Sequence, residues 1–277
     1  MTDLFKPKVV EGVQQVRRMR GGSQSHLMRA SDGNFYITKF LQNPQCKRVL
    51  ANEFIASILG KALGLPMPEV VLIDVSEWLI NHTEELHVEC AGLRTPCVPG
   101  RHLGIRFVAD PLQDFVFDYL LETLCRDRLA NLADFSRCLM FDKWTGNVDG
   151  RQAVFTKKHG QRSYAATFID QGYCFNAGEW NFPDLALQGV FYRNFVYEQV
   201  RGWDAFEPTL TRIEKLTPSV LRAITAHVPA EWWKKHEEDD SLQQLTCALS
   251  NRRFIIRDLI EAFRHSSRNP FPNWGGN

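Results

Sequence analysis

The chain has 277 residues, 44% of them hydrophobic and 23% charged, with 33 Lys and Arg against 32 Asp and Glu for a formal charge of +1. These proportions exclude a disordered tail, a collagen-like fibre and a membrane bundle, and at ~150 residues per domain the length predicts about two domains or lobes. No apolar run reaches the ~20 residues that span a bilayer. Met1–Lys6 has no signal-peptide pattern, and the seven scattered cysteines lack Cys-x-x-Cys, so a cytoplasmic protein with reduced thiols is expected.

Residues 1–30 hold Lys6, Lys8, Arg17, Arg18, Arg20 and Arg29 against Asp3 and Glu11, a local excess of +4. In a near-neutral chain this suits a small polyanion better than a nucleic acid, and neither direct nucleic-acid binding nor a membrane role is expected. Within that stretch, Arg20-Gly21-Gly22-Ser23-Gln24-Ser25 precedes a strand at His26–Ala30. Adjacent glycines let successive N–H groups converge on phosphate oxygens; a plain turn is the competing reading. Ser31–Asn34 is a hairpin turn, and Phe35–Phe40 is a second strand on which Lys39 shares the apolar face with Ile37 and Phe35. A buried ammonium needs an anion, unless its stem lies over the core and its head reaches water.

Asn43-Pro44 suggests a helix start, and Val49, Leu50, Phe54, Ile58, Leu59 and Leu63 carry the periodicity up to Gly64 and Pro66. Glu53 on this helix, fourteen residues after Lys39, is the natural partner for that lysine. Val70–Val75 is a buried strand, and Arg106–Val108 closes the sheet-rich part at about residue 110. Helical periodicity then covers 113–124, 129–144, 187–200, 206–216, 219–227 and 243–263, interrupted by short strands at 153–155 and 165–169. The expected organisation is a sheet-rich lobe over 1–110 and a mostly helical lobe over 111–277, with a ligand cleft between them.

Two further features bear on chemistry. Asp142-Lys143-Trp144-Thr145-Gly146-Asn147-Val148-Asp149-Gly150-Arg151-Gln152 places two carboxylates and two amides between a helix and a strand. Phosphoryl transfer needs a carboxylate beside the acceptor hydroxyl and oxygen ligands for Mg²⁺ nearby; a Gly/Asn/Asp turn is the bland alternative. Asp170 ends the apolar strand Ala165–Ile169, where it fits a metal ligand or a turn aspartate equally well. His87-x-Glu89 followed by Pro96-Cys97 imitates a zinc-deaminase signature, but Gly100 stands where its second cysteine belongs.

In this order the residues resemble the HipA-like kinases of the protein-kinase/phosphoinositide-kinase fold. Gly22-Ser23-Gln24 is similar to that family's phosphate loop, Lys39 to its ATP lysine, Trp144–Gly150 to its catalytic loop and Ile169-Asp170-Gln171-Gly172 to its metal-binding segment. The resemblance implies an α+β, two-lobed protein-kinase-like fold: a small antiparallel-sheet N-lobe with one main helix, and a mostly helical C-lobe. It implies an ATP- and Mg²⁺-dependent transfer of the γ-phosphate to a hydroxyl, with protein Ser/Thr as acceptor. Gly21, Gly22, Ser23, Gln24, Ser25 and Lys39 would bind the nucleotide, with Glu53 orienting the lysine. Asp149 would be the catalytic base, and Asp170, Gln152 and Asn147 the metal ligands.

The pattern departs from the family at three points. The larger HipA toxins have an N-terminal subdomain without counterpart here. Their metal asparagine lies further beyond the catalytic aspartate than Gln152 does, and Asp142/Asn147 offers a second register for base and amide. Met19 stands where relatives carry a serine three positions upstream of Gly-x-Gln; because HipA-like kinases can autophosphorylate near this loop and eject it, the resemblance implies self-inhibition through Ser23 or Ser25. A catalytically weak pseudokinase serving as a nucleotide-binding module, and a small-molecule kinase of the aminoglycoside-phosphotransferase type, are the alternatives. A separate regulatory or antitoxin partner fits the resemblance as well.

Overall fold

The computed structural model describes residues 5–111 and 113–275, so Met1–Leu4 of the N-terminal segment weighed above lie outside it. Five strands close into a barrel. β1 (Val9–Arg18), β2 (His26–Ala30) and β3 (Phe35–Lys39) run antiparallel to their neighbours, followed in space by β7 (Gly100–Arg106) and β4 (Val70–Val75). The circle closes through a parallel pairing of β4 with β1, Val9 lying opposite Leu72. The sheet is thus antiparallel except at this seam, and closure removes the exposed edges that an open sheet would leave.

The apolar run in β4 follows from this geometry. Val71, Ile73 and Val75 pack into one core with Met28 and Tyr36, while Val70 and Leu72 pack outward in a second core with α1 (Arg48–Ala62). A strand covered on both faces reads as continuously hydrophobic rather than alternating. Helix α1 is itself buried on almost every side, because barrel and helical lobe both press on it. It begins later than Asn43-Pro44 suggests: Asn43 Oδ1 accepts from the Gln45 N–H at 2.9 Å in a local turn, and the helix starts at Arg48. Gly64, at φ 86°, ends it as expected.

Between β4 and β7 the chain inserts α2 (Glu77–Asn81) and a hairpin of β5 (His87–Cys90) with β6 (Leu93–Pro96), elements the sequence pattern did not separate. The second lobe opens with β8 (Phe115–Phe117), which pairs with β9 (Gln152–Lys157), itself paired with β10 (Ala165–Ile169). Helical periodicity over 113–124 therefore fails at its start, where Phe115-Val116-Phe117 finds a strand partner and tertiary pairing wins. Helices α3 (Glu122–Arg128), α4 (Asp134–Thr145), α5 (Thr209–Glu214), α6 (Pro218–Thr225), α7 (Ser241–Arg252) and α8 (Ile256–Arg264) make up the rest.

Two helical expectations change form. Residues 187–200 contain only the short 3₁₀ turn Asn194–Tyr197, because left-handed Gly189 bends the chain so that its N–H reaches Asp149 O at 3.1 Å. The span 243–263 splits into α7 and α8, with Arg252 turned inward to donate to the carbonyls of Lys143 and Trp144 at 2.8 Å. A continuous core runs from α1 through α4, β9 and β10 into α5–α8. Among the described residues no helix is long and apolar enough to cross a membrane.

Candidate active site

A cavity of about 580 Å³ separates the two lobes. Ile37 and Ile105 form its apolar upper wall, Val116, Val154 and Ile169 its lower wall, and the connecting segment Arg106–Val108 its back. Arg17, Arg20, Ser23 and Ser25 border one end, and Lys39, Glu53, Gln152 and Asp170 lie together at the cavity floor. An apolar slot with a polar, ionic end suits a ligand with a flat ring and a charged tail.

At that floor Lys39 Nζ donates to Glu53 Oε2 at 2.9 Å and to Asp170 Oδ1 at 3.0 Å. Lys39 projects from the last residue of β3, Glu53 from the second turn of α1, and Asp170 from the end of β10. Burial alone would pull the Lys39 pKa down; the two carboxylates overcome it and hold the ammonium above the ordinary lysine range. Burial likewise opposes ionisation of Asp170, but Lys39 prevails and its carboxyl sits below the usual value. Asp170 Oδ2 accepts from Gln152 Nε2 at 3.3 Å, across the rung where Ile169 faces Gln152. Asp170 itself has φ 59°, and Gly172 lies so near α1 that a Cβ there would stand 2.5 Å from Val49 Cγ1.

The donor set at the floor fits a hard divalent cation: the Asp170 carboxylate, the Gln152 amide, and Glu53 Oε1, which is buried without a hydrogen-bond partner. Among the described residues no three His, Cys, Asp or Glu side chains form a metal cage of their own. Mg²⁺ is commonly held by one or two carboxylates together with substrate phosphates, so such a cage is not required.

The loop after α4 separates the two registers proposed for the base. Gly146 ends α4 in the left-handed region (φ 59°, ψ 46°), and Asp149 emerges exposed at the surface. Asp142 is buried instead and bound by the Arg151 guanidinium, with Nε at 2.9 Å from Oδ2 and Nη2 on Oδ1. Asn147 is also buried: its Nδ2 donates to Asp142 Oδ1 at 3.0 Å and its Oδ1 accepts from the Asp149 N–H at 3.1 Å. Both line a void of about 20 Å³ on the helical side of the loop. The placement of Asn147 therefore differs from that of a metal ligand. It shapes the turn that presents Asp149, and Gln152 is the amide that meets Asp170.

Loop 19–25 joins β1 to β2 and is closed by Met19 N–H to Ser25 O at 2.8 Å. Ser23 and Ser25 face the cavity. Gln24, a left-handed residue at φ 47°, turns to the β5–β6 hairpin: its Nε2 donates to Glu89 O at 2.6 Å, and its Oε1 accepts from Glu89 N–H at 2.7 Å. Arg18 Nη2 donates to the same Oε1 at 2.6 Å, the third bond of this side chain. Gln24 thus anchors the loop rather than lining the cavity, and Gly21 and Gly22 serve the same turn, with Gly22 backed by Gln45.

Two residues that the sequence left unremarked are central to the site. Arg151, fully buried, ties Asp142 to the carbonyl of Ile169 at 2.9 Å and to the Gln171 side chain, joining the loop to the Asp170 segment. Burial opposes its charge, yet Asp142 holds its pKa above the usual arginine value. The only available signal was an arginine directly before the strand that carries the apolar run Ala153-Val154-Phe155. Asn52 on α1 gave none, since a polar helix residue next to Glu53 reads as a solvated position.

Residues 12–94 match the family model described as "HipA-like kinase". No curated protein sequence matches the chain. Among solved structures, a Helicobacter pylori proinflammatory kinase, CtkA, superposes with a TM-score of 0.58 at 15% identity, over 95% of this chain and 99% of that one. The Golgi casein kinase gives a TM-score of 0.52 at 13% identity, over 97% of this chain and 77% of its own. The same kinase with Mn/ADP bound gives 0.51 at 13% identity, over 93% and 73%. At these identities the likeness establishes the fold, which is protein-kinase-like.

Proposed function

From a chain whose residues 12–94 match the HipA-like kinase model and whose two lobes take the protein-kinase-like fold, we propose an ATP- and Mg²⁺-dependent kinase that phosphorylates a protein Ser or Thr hydroxyl. The observation that carries this reading is the buried Lys39 ammonium, which joins Glu53 and Asp170 across the lobes at the floor of a nucleotide-sized cleft. The fold neighbour holding Mn/ADP supports a nucleotide with a divalent ion in that cleft.

In this scheme the apolar walls take the adenine ring, and Lys39, held upright by Glu53, takes α/β-phosphate oxygens. Ser23, Ser25 and the cationic rim of Arg17 and Arg20 surround the outer phosphates. Asp170 and Gln152 would hold the metal ion, which when bound would neutralise phosphate charge. Asp149 accepts the acceptor hydroxyl's proton as that oxygen bonds to the γ-phosphorus and the β–γ bridging oxygen departs with ADP. Asp149 is preferred to Asp142 because Asp142 is occupied by Arg151 inside the protein.

One observation favours the pseudokinase alternative: Asn147 is consumed within the loop, leaving Gln152 as the amide beside Asp170. Intact-mass analysis after incubation with Mg-ATP separates the two. Mass increments of one phosphate on the chain or on an added protein, abolished in Asp170→Ala, support the kinase. Nucleotide binding with neither increment nor ATP turnover supports the module.

A further inference from the structure

Helix α1 meets the segment after β10 through a buried polar seam, of which Lys39 and Glu53 explain only one end. Asn52, fully buried and one residue before Glu53, uses every hydrogen-bonding atom of its side chain on that segment. Its Nδ2 donates to Gly172 O at 2.8 Å and Ala177 O at 2.6 Å, and its Oδ1 accepts from Trp180 Nε1 at 2.7 Å. One helical turn earlier on the same face, Arg48 donates to Gly178 O at 2.9 Å and lies over the Trp180 ring, 4.3 Å from its centroid.

The segment so held has no helix or strand to fix it. Phe175, Asn176, Ala177 and Trp180 all adopt left-handed backbone, with φ of 60°, 56°, 53° and 54°. Non-glycine residues persist in that region only where their surroundings over-determine them. The end of α4 supplies one side of those surroundings, with Phe175 N–H on Thr145 O at 2.7 Å and Asn176 N–H on Gly146 O at 3.1 Å; Asn52 and Arg48 supply the other, and the segment begins just after Asp170.

We infer that Asn52 is a positioning residue: with Arg48 it bolts α1 to residues 172–180, so that Lys39, Glu53 and Asp170 stand aligned without any activating change in that segment. The catalytic consequence rests on the kinase reading above; the mechanical one does not. Swinging α1 outward would strip partners from three backbone carbonyls at once, so control of this chain acts elsewhere than on the angle of α1.

The test uses the full chain as Asn52→Ala, with Trp180→Phe as a milder variant that loses a single bond and keeps both carbonyls satisfied. Hydrogen exchange reads the bolt, and fluorescent ADP-analogue binding, with Mg²⁺ or with EDTA, reads the metal-binding floor. Amides 172–180 should exchange at least tenfold faster in Asn52→Ala, and detectably faster in Trp180→Phe, while β1–β3 keep wild-type protection. The Mg²⁺-dependent gain in affinity should fall about tenfold, with EDTA binding unchanged. Wild-type exchange over 172–180 in both variants, or a uniform loss of protection along the chain, overturns the inference. If Asn52→Ala does not fold, Trp180→Phe decides by the same exchange criterion. Absence of nucleotide binding in the wild type would sink the kinase reading instead, with the exchange result still judging the bolt.

Discussion

The two sides of the cleft are built in opposite ways. The floor is a buried lattice: Lys39, Asn52, Glu53 and Arg151 are each at most 5% exposed, and each holds a partner from another element. The roof is a surface loop, residues 19–25, held by the backbone bond of Met19 to Ser25 and by Gln24 on Glu89. A buried polar lattice resists small displacements, because each lost bond leaves a desolvated group behind. An exposed loop exchanges its bonds with water at little cost. Under the proposed kinase function, the contrast assigns alignment of the reacting groups to the floor and adjustable grip on the nucleotide to the roof.

The sharpest way to break that assignment is to remove the floor's anion. Asp170→Ala should lower phosphoryl transfer on the order of 10³-fold in single-turnover assays, while nucleotide binding in EDTA persists. A loss below tenfold would place the chemistry elsewhere. Next in size, Lys39→Met leaves the Glu53 carboxylate buried without its cation, and should cost about 3 kcal/mol in urea unfolding besides abolishing activity. Lys39→Met/Glu53→Gln should regain most of that stability and none of the activity. A double variant as unstable as the single one would show that the pair is not what holds α1 against β3.

The same contrast explains what could be read from the sequence. Lys39, Glu53 and Asp170 were legible because each sits at a fixed place in a well-patterned element, so their order along the chain stood out. Asn52 and Arg151 were not, because burial of a polar side chain is decided by partners on other elements: for Asn52 the carbonyls of Gly172 and Ala177, more than a hundred residues away, and for Arg151 Asp142 on α4 and the carbonyl of Ile169 on β10. Asn147 was legible as part of a loop but not as to direction, which Arg151 and Asp142 settle from behind. The buried β4 and α1 were foreseen, whereas β8 was not, because three residues with aromatic and β-branched side chains become a strand only when β9 is alongside.

Acid should separate the two sides next. Burial holds the pKa of His26 and of His102 down to about 4, against an ordinary 6.5. The unfolded chain binds those protons below 6.5 and the folded chain does not, so their stabilising effect is full above 6.5 and is lost as pH falls toward 4. Asp170, with its pKa lowered, keeps its contribution above 3.8, and Lys39, with its pKa raised, keeps its contribution below 10.5. Between pH 7.5 and 5.5 the barrel should therefore lose about 3 kcal/mol in urea unfolding, at roughly 1.4 kcal/mol per histidine for the one pH unit below 6.5. His102→Gln should flatten that slope by about half. His26 follows Ser25 directly, and its Nε2 lies 3.4 Å from His87 O in the hairpin that anchors the roof, so hydrogen exchange should show the roof loosening before the floor. A pH-independent stability over this range would remove the asymmetry.

The smallest effect tests the roof directly. Gln24 makes three side-chain hydrogen bonds, to Arg18 and to both backbone groups of Glu89, at a partly exposed site where each is worth a fraction of its buried value. Their combined loss in Gln24→Ala should come to about 1.4 kcal/mol, a tenfold rise in the KM for ATP. Because the floor is untouched, kcat should change less than about twofold, and the Mg²⁺ dependence should stay that of the wild type. Deleting the hairpin tip, Ala91-Gly92, should reproduce the KM change if the anchor acts through β5, since Gln24 then loses the strand that holds it. A fall in kcat that matches the rise in KM would mean that the loop helps to align the reacting groups. Division of labour between roof and floor would then give way to a single coupled cleft.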